Sequence, residues 1–274
     1  MKLGCLPYLN VKPLVWPLEH GELPEGWKLI YESPSALARL LAEKEIAAAP
    51  VSSFALFPNP ELWVVPGICI ASQGVVKSVL MVSKVEIPRI RTVSVDTSSL
   101  SGAAMLKIIL KELYNLEPEY VPTAPNPSEM LKMADAAMVI GNPAMQMAVD
   151  GLHVLDLGDA WMQLTGLPAV FAVWAGSREA LTPELIETLE RAKETGQGKV
   201  DEICREEAPK LGLTYDACYD YLANTMKYDL GANEVESLEV FARKAYEQGL
   251  LDAEPKVRVK SGKRKVKSAK KVEC

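Results

Sequence analysis

Asn10 is the first side chain in the chain with an evident chemical use. It lies in Pro7-Tyr8-Leu9-Asn10-Val11-Lys12-Pro13-Leu14, after a tyrosine–leucine pair and ahead of a proline that keeps the next residues from closing a helical turn early. An asparagine amide on a short bend donates and accepts at once, which suits a ligand carrying both hydroxyl and carboxylate groups. The same pattern is ordinary loop chemistry, so its meaning depends on what other loops offer. Asp96-Thr97-Ser98-Ser99-Leu100-Ser101-Gly102 leads into a helical pattern, and hydroxyls with free amides at a helix start favour a carboxylate or phosphate. A plain N-cap needs one serine, whereas this stretch brings four hydroxyls. Gly141-Asn142-Pro143 opens a second helical pattern. Ser72-Gln73-Gly74-Val75-Val76-Lys77-Ser78 runs into a strand, where Ser78 can donate into a cleft or simply serve the strand edge.

Other chemistries are poorly served. Neither G-x-x-x-x-G-K-[ST] nor G-x-G-x-x-G occurs, so no phosphate cradle is expected. The two histidines, His20 and His153, have no ligand-like spacing, and the five cysteines (Cys5, Cys69, Cys204, Cys218 and Cys274) contain no C-x-x-C pair. No metal site or disulfide framework is expected, and unpaired cysteines point to a reducing cytoplasm. With 49% hydrophobic and 24% charged residues the 274-residue chain reads as a soluble globular protein. No apolar run reaches the roughly 18 residues of a membrane span. The net charge of −6 hides an asymmetry. Residues 255–274 hold nine lysines and arginines against Glu273 and read as a basic, disordered tail, with no nucleic-acid partner expected.

The elements that must position these residues alternate between strand and helix. Strand patterns fall at 28–31, 62–65, 78–82, 92–95, 136–140, 154–157 and 169–174. Helical patterns fall at 103–114, 143–149, 183–194, 200–211, 215–226 and 233–248. Ser33-Pro34 and Thr182-Pro183-Glu184 are clear helix starts. Alternation of this kind predicts an α/β fold with largely parallel sheets, whose ligands sit at strand ends and helix N-termini.

Taken together, the segments resemble the chorismate dehydratases of the futalosine route to menaquinone, from about residue 3 to 250. The resemblance rests on Tyr8-Leu9-Asn10 with Lys12-Pro13-Leu14, on Val65-Pro66-Gly67 with Cys69-Ile70-Ala71-Ser72 and Gly74, and on Ser78-Val79. The Asp96…Ser99…Ser101 helix entrance and Asp135-Ala136-Ala137 with Ile140-Gly141 also fit. The densest block is Asp156-Leu157-Gly158-Asp159-Ala160-Trp161, through Thr165-Gly166-Leu167-Pro168 to Phe171-Ala172-Val173-Trp174-Ala175. Tyr228-Asp229-Leu230-Gly231 and Phe241 close it.

That resemblance implies a two-lobed, type II periplasmic-binding-protein-like fold with two crossing strands, for which 78–82 and 169–174 are the candidates. The lobes would be 1–83, 84–170 and the return 171–254, ahead of the tail. It implies a cofactor-free hydro-lyase that removes water from chorismate to give 3-[(1-carboxyvinyl)oxy]benzoate, the substrate's own carboxylate acting as base. Asn10 and Ser78 would be catalytic; Tyr8, Ser99, Ser101, Gly141 and Asn142 would bind the substrate. The chain departs from the family pattern at Pro7 (usually Ser), at Ser99-Leu100-Ser101-Gly102 (usually Ser-Arg-Thr-Ser) and at Asn142 (usually Asp). Arg39, Lys77 and Arg178 are candidates to replace the missing arginine. Two alternatives stand beside this reading. One is a paralogue such as the sister enzyme that makes dihydroxynaphthoate; the other is a non-catalytic cytoplasmic protein that closes on a small carboxylate.

Overall fold

Leu3, Gly4 and Cys5, buried in succession, form the first strand, β1 (Lys2–Cys5), in the computed structural model, which describes residues 1–96 and 99–261. The chain then makes a 3-10 turn (Leu9–Val11), helix α1 (Lys12–Pro17) and a second turn (Leu18–Glu22) before β2 (Lys28–Tyr31), which pairs in parallel with β1. The proline expected to hold a helix off sits instead in the first turn of α1, where its missing N–H has no partner to lose. Helix α2 (Pro34–Ala42) starts as predicted: Ser33 accepts from the Ala36 N–H, and Leu37, Leu40 and Leu41 turn inward. Next come β3 (Ala49–Ser52), the short helix α3 (Ser53–Leu56) and β4 (Leu62–Ser72).

Beyond residues 73–78 the chain enters a second sheet through β5 (Val79–Ser83) and β6 (Thr92–Asp96). Helix α4 (Leu100–Tyr114), β7 (Glu119–Thr123), α5 (Pro127–Met133), β8 (Ala136–Ile140), α6 (Gly141–Gln146), β9 (His153–Asp156) and α7 (Leu157–Thr165) complete that lobe. The return runs through β10 (Ala169–Ser177), α8 (Pro183–Gly198), α9 (Val200–Leu211) and α10 (Tyr215–Tyr219). A wide π-type turn (Asp220–Thr225), β11 (Met226–Lys227) and α11 (Ala232–Glu247) follow.

The first lobe is built on the sheet β11-β4-β10-β3, with β1 and β2 joined to it where Gly4 N–H donates to Ala48 O at 2.9 Å. The second has the order β7-β6-β8-β5-β9, with β6 parallel to both neighbours and β5 antiparallel to its own. All five residues of β5 are buried, as expected of a strand with partners on both edges. Its pairing places 79–83 in the second sheet, ahead of the expected boundary at 84, and β10 pairs in the first sheet from Ala169. Ser72, ending β4, lies opposite Ala169, opening β10, so both connections between the sheets, 73–78 and 166–168, leave from one place. Apolar packing closes over that junction. Trp161 of α7 meets Phe241 of α11 edge-on at 5.4 Å, and Phe241 meets Phe57 at 5.2 Å. The Trp161 Nε1–H donates to Ser237 Oγ (3.0 Å), which donates to Pro168 O (2.6 Å) and so ties the return connection to α11.

The tail expected to be loose from 255 begins with a parallel bridge from Val259 to Val64 of β4. Val64 N–H donates to Arg258 O (2.8 Å), Lys260 N–H donates to Val64 O (2.9 Å), and Val257 and Val259 pack on the core. The alternation Val257-Arg258-Val259-Lys260 is a period-2 pattern that the density of positive charge conceals. Residues 262–274 of the tail lie outside the described residues. Truncation after Glu254 is expected to cost about 1–3 kcal/mol through two backbone hydrogen bonds and two half-buried valines, or about 2–12 °C in a thermal melt. An unchanged melt would show that the pairing carries no weight.

Candidate active site

Asn10 is held in its turn by two buried neighbours, Leu9 and Val11, and by the Val11 N–H donating to Tyr8 O at 3.0 Å. Its amide faces the hydroxyl of Tyr221 and favours the ionised form of that phenol, while its Oδ1 is buried and without a hydrogen-bond partner. Ser78, 2% exposed, meets the same hydroxyl from the other lobe, with Ser78 Oγ 2.8 Å from Tyr221 Oη. The two residues expected to do chemistry therefore converge on a third.

The segment that presents Ser78 is held by one carboxylate. Asp156 accepts from Val76 N (3.0 Å) and Lys77 N (2.8 Å), and at the same time caps α7 through Gly158 N (3.0 Å) and Asp159 N (3.2 Å). Lys77 has φ +64, a left-handed conformation that such anchoring maintains. Its ammonium pairs with Asp220, whose carboxyl is held below the usual range by hydrogen bonds from Lys77 and Asn224. Consecutive residues 77 and 78 thus bind consecutive residues 220 and 221.

The remaining expected residues fall in different places. Gly141 takes φ +65 and donates its N–H to Ser78 O at 2.7 Å, bringing Asn142 beside the site. Tyr8, 39% exposed, belongs to the first lobe yet feels the charge of Asp96 at the end of β6; burial first and Asp96 second push its phenol up. Ser99 is the N-cap residue of α4 and makes no side-chain cap bond. Ser101 is turned to a different task. Its oxygen donates to Phe171 O (2.9 Å), accepts from Phe54 N (3.1 Å) and meets Ser52 Oγ (2.6 Å), so it clamps α4 to the first lobe. Leu100, where the family pattern has arginine, is 49% exposed. Of the cations considered as its replacement, Arg39 pairs with Glu43 and Arg178 lies over the Trp63 ring at 5.0 Å. Lys77 alone of the three adjoins Ser78.

Tyr221 carries no signal in the helical pattern read over 215–226. A clue exists: Cys218, Tyr221 and Leu222, at i, i+3 and i+4, are all buried, and a tyrosine on a buried face needs a partner for its hydroxyl. Burial pushes its pKa up to about 12, partly offset by its polar contacts with Ser78 and Asn10. Because the folded value lies above the ordinary 10, the stability from its neutral form is complete below pH 10 and lost as pH rises through 12. Tyr221→Phe is therefore expected to flatten the fall of melting temperature over that window; an equally steep fall would assign the loss to other groups.

Among the described residues no group of three or more His, Cys, Asp or Glu could hold a metal ion, and no helix is long and apolar enough to cross a membrane.

Two sheet-based lobes, joined by paired short connections with polar side chains meeting at the junction, define the periplasmic-binding-protein-like class. Solved structures agree on the fold. A protein from Archaeoglobus fulgidus superposes with a TM-score of 0.74 at 20% identity, covering 91% of this chain and 98% of that one. The alkanesulfonate-binding protein of Xanthomonas axonopodis pv. citri, bound to MOPS, gives 0.70 at 14% identity over 93% and 95%. Within this class the chain belongs to the menaquinone-biosynthesis family, which it matches over residues 1–247. It is 32% identical over 259 residues to a chorismate dehydratase of Thermus thermophilus, covering 88% of this chain and 93% of the relative.

Proposed function

We propose that this protein is a cytoplasmic chorismate dehydratase that converts chorismate to 3-[(1-carboxyvinyl)oxy]benzoate and water without a cofactor. The observation that carries this reading is the buried, unpartnered Oδ1 of Asn10 beside the Ser78–Tyr221 pair. A buried acceptor left unsatisfied costs about 1–3 kcal/mol, and a ligand hydroxyl supplies the missing donor. In chorismate that group is the C4 hydroxyl, which donates to Asn10 Oδ1 and accepts from Ser78 O–H. The substrate's carboxylate takes the C3 proton, the C4–O bond breaks, and proton and hydroxyl leave as water. Aromaticity of the product drives the step, so the protein has only to fix geometry and stabilise the departing oxygen. Lys77, Asn142, Tyr8 and Ser99 are the groups assigned to the carboxylates in this reading. Four free, buried cysteines among the described residues accord with a reducing compartment.

The test is incubation of purified protein with chorismate, following the aromatic ultraviolet product and the loss of one water by mass. Leu100 in place of the family arginine favours a second reading, closure on a small carboxylate without turnover. In that case chorismate raises the melting temperature and no aromatic product forms. Neither effect would sink both readings.

A further inference from the structure

Three hydrogen-bonding side chains meet at the junction, and the directions of their hydrogen bonds follow from a count of protons. The Asn10 oxygen has no partner, so the amide meets Tyr221 through its nitrogen, which can only donate. Tyr221 Oη therefore accepts from Asn10. It has one proton of its own, and among the described residues the other group that meets it is Ser78 Oγ at 2.8 Å. With Tyr221 as the donor the proton left over is the serine's, which a ligand hydroxyl can accept; with Ser78 as the donor it is the phenol's, enclosed among its own neighbours. The chain of donation is Asn10 to Tyr221 to Ser78, and the serine proton is left to point at a ligand. The site then presents one acceptor, Asn10 Oδ1, and one donor, Ser78 O–H, the complement of a single hydroxyl group.

We propose that Tyr221 is a positioning residue that fixes Ser78 as the donor to the departing hydroxyl, acting through Ser78 and Asn10. The proposal rests on the dehydratase reading for its kinetic consequence and on geometry alone for the hydrogen-bond order. The Lys77–Asp220 pair, one residue back on each segment, holds the two partners in register. Tyr221 neither gains nor loses a proton in this role, and its hydroxyl stays protonated throughout the working range.

Tyr221→Phe removes the hydroxyl and keeps the ring. It is expected to lower kcat by about 10- to 100-fold with KM changed less than about threefold, the pattern for an interaction used mainly in the transition state. In a Ser78→Ala background the same substitution is expected to change kcat by less than about twofold, because the group it acts through is already gone. Unchanged kcat in Tyr221→Phe, or losses that multiply in the double variant, would overturn the proposal. A second measurement is independent of turnover. In protein labelled with 13C at the tyrosine Cζ, the Tyr221 resonance, assigned by its absence in Tyr221→Phe, is expected to shift in both Ser78→Ala and Asn10→Ala. If the wild type leaves chorismate untouched, the dehydratase reading falls while this measurement still tests whether Ser78 and Asn10 both act on the Tyr221 hydroxyl, and an unmoved resonance in both variants overturns the proposal.

Discussion

Asn10→Ala and Ser78→Ala are each expected to cut turnover of chorismate at least about a hundredfold, the usual consequence of deleting a hydrogen bond made to charge developing in a transition state. The two should differ in stability, and that difference is the sharper test. Asn10 keeps a buried acceptor without a partner, so removing it discards an unfavourable group along with one hydrogen bond to Tyr221. Its melting temperature should stay within a few degrees of wild type. Ser78 gives Tyr221 its acceptor, and alanine leaves a buried phenol proton unpaired, at about 1–3 kcal/mol. An active-site group that hinders folding slightly while serving the ligand is the expected signature of function. Thermal melts recorded beside rates check both halves. A variant with normal rates leaves the mechanism, and an Asn10→Ala protein that melts far below wild type makes the residue structural.

Asn10 and Ser78 could be singled out in the sequence because each sits in a short local motif, and the structure brings both to Tyr221. Local grammar also revealed α2 and α8, whose Ser33-Pro34 and Thr182-Pro183 starts cap as read. Helix α7 was missed although Asp156 caps it, since Gly158 near its start argues against a helix. That glycine answers to packing, for a Cβ there would lie 2.4 Å from Gly74 O. Strand β3, with Pro50, and strand β7, with Pro122, were hidden by residues usually read as strand breakers. Tyr221 was beyond reach for another reason. Its partners are 143 and 211 residues away in sequence, and the turn that carries it has a wider period than the 3.6 that helical patterning detects. Ser101 shows the converse. A hydroxyl at a helix entrance reads as a ligand group, but at a buried junction its first obligation is to the backbone groups it meets, here Phe54 N and Phe171 O.

Gly196→Ala is expected to be among the most damaging single substitutions outside the site, against the rule for helices. Glycine inside a helix is about 1 kcal/mol worse than alanine, so propensity alone predicts stabilisation. Packing decides otherwise. Helix α8 crosses α1 so closely that a Cβ on Gly196 would lie 1.8 Å from Pro13 O and 2.7 Å from Pro13 C. These are backbone atoms, which cannot rotate away. Ordinary contact begins at about 3.4 Å, so the backbone at Pro13 would have to retreat by more than 1 Å. Overpacking of that kind costs about 1–3 kcal/mol and occasionally more, which corresponds to about 2–12 °C in a chain of this size. Pro13 follows Asn10 by three residues, so the same retreat shifts the Asn10 turn. Misplacement by about 1 Å can cost about a hundredfold in rate, and turnover should fall along with the melt. Gly198, two residues on in the same helix, has nothing within 4 Å of its Cβ position and serves as the control. Gly198→Ala should leave rate and melt at or slightly above wild type. Equal behaviour of the two variants would show that α1 and α8 can part without cost, and the close approach would then have no part in holding Asn10.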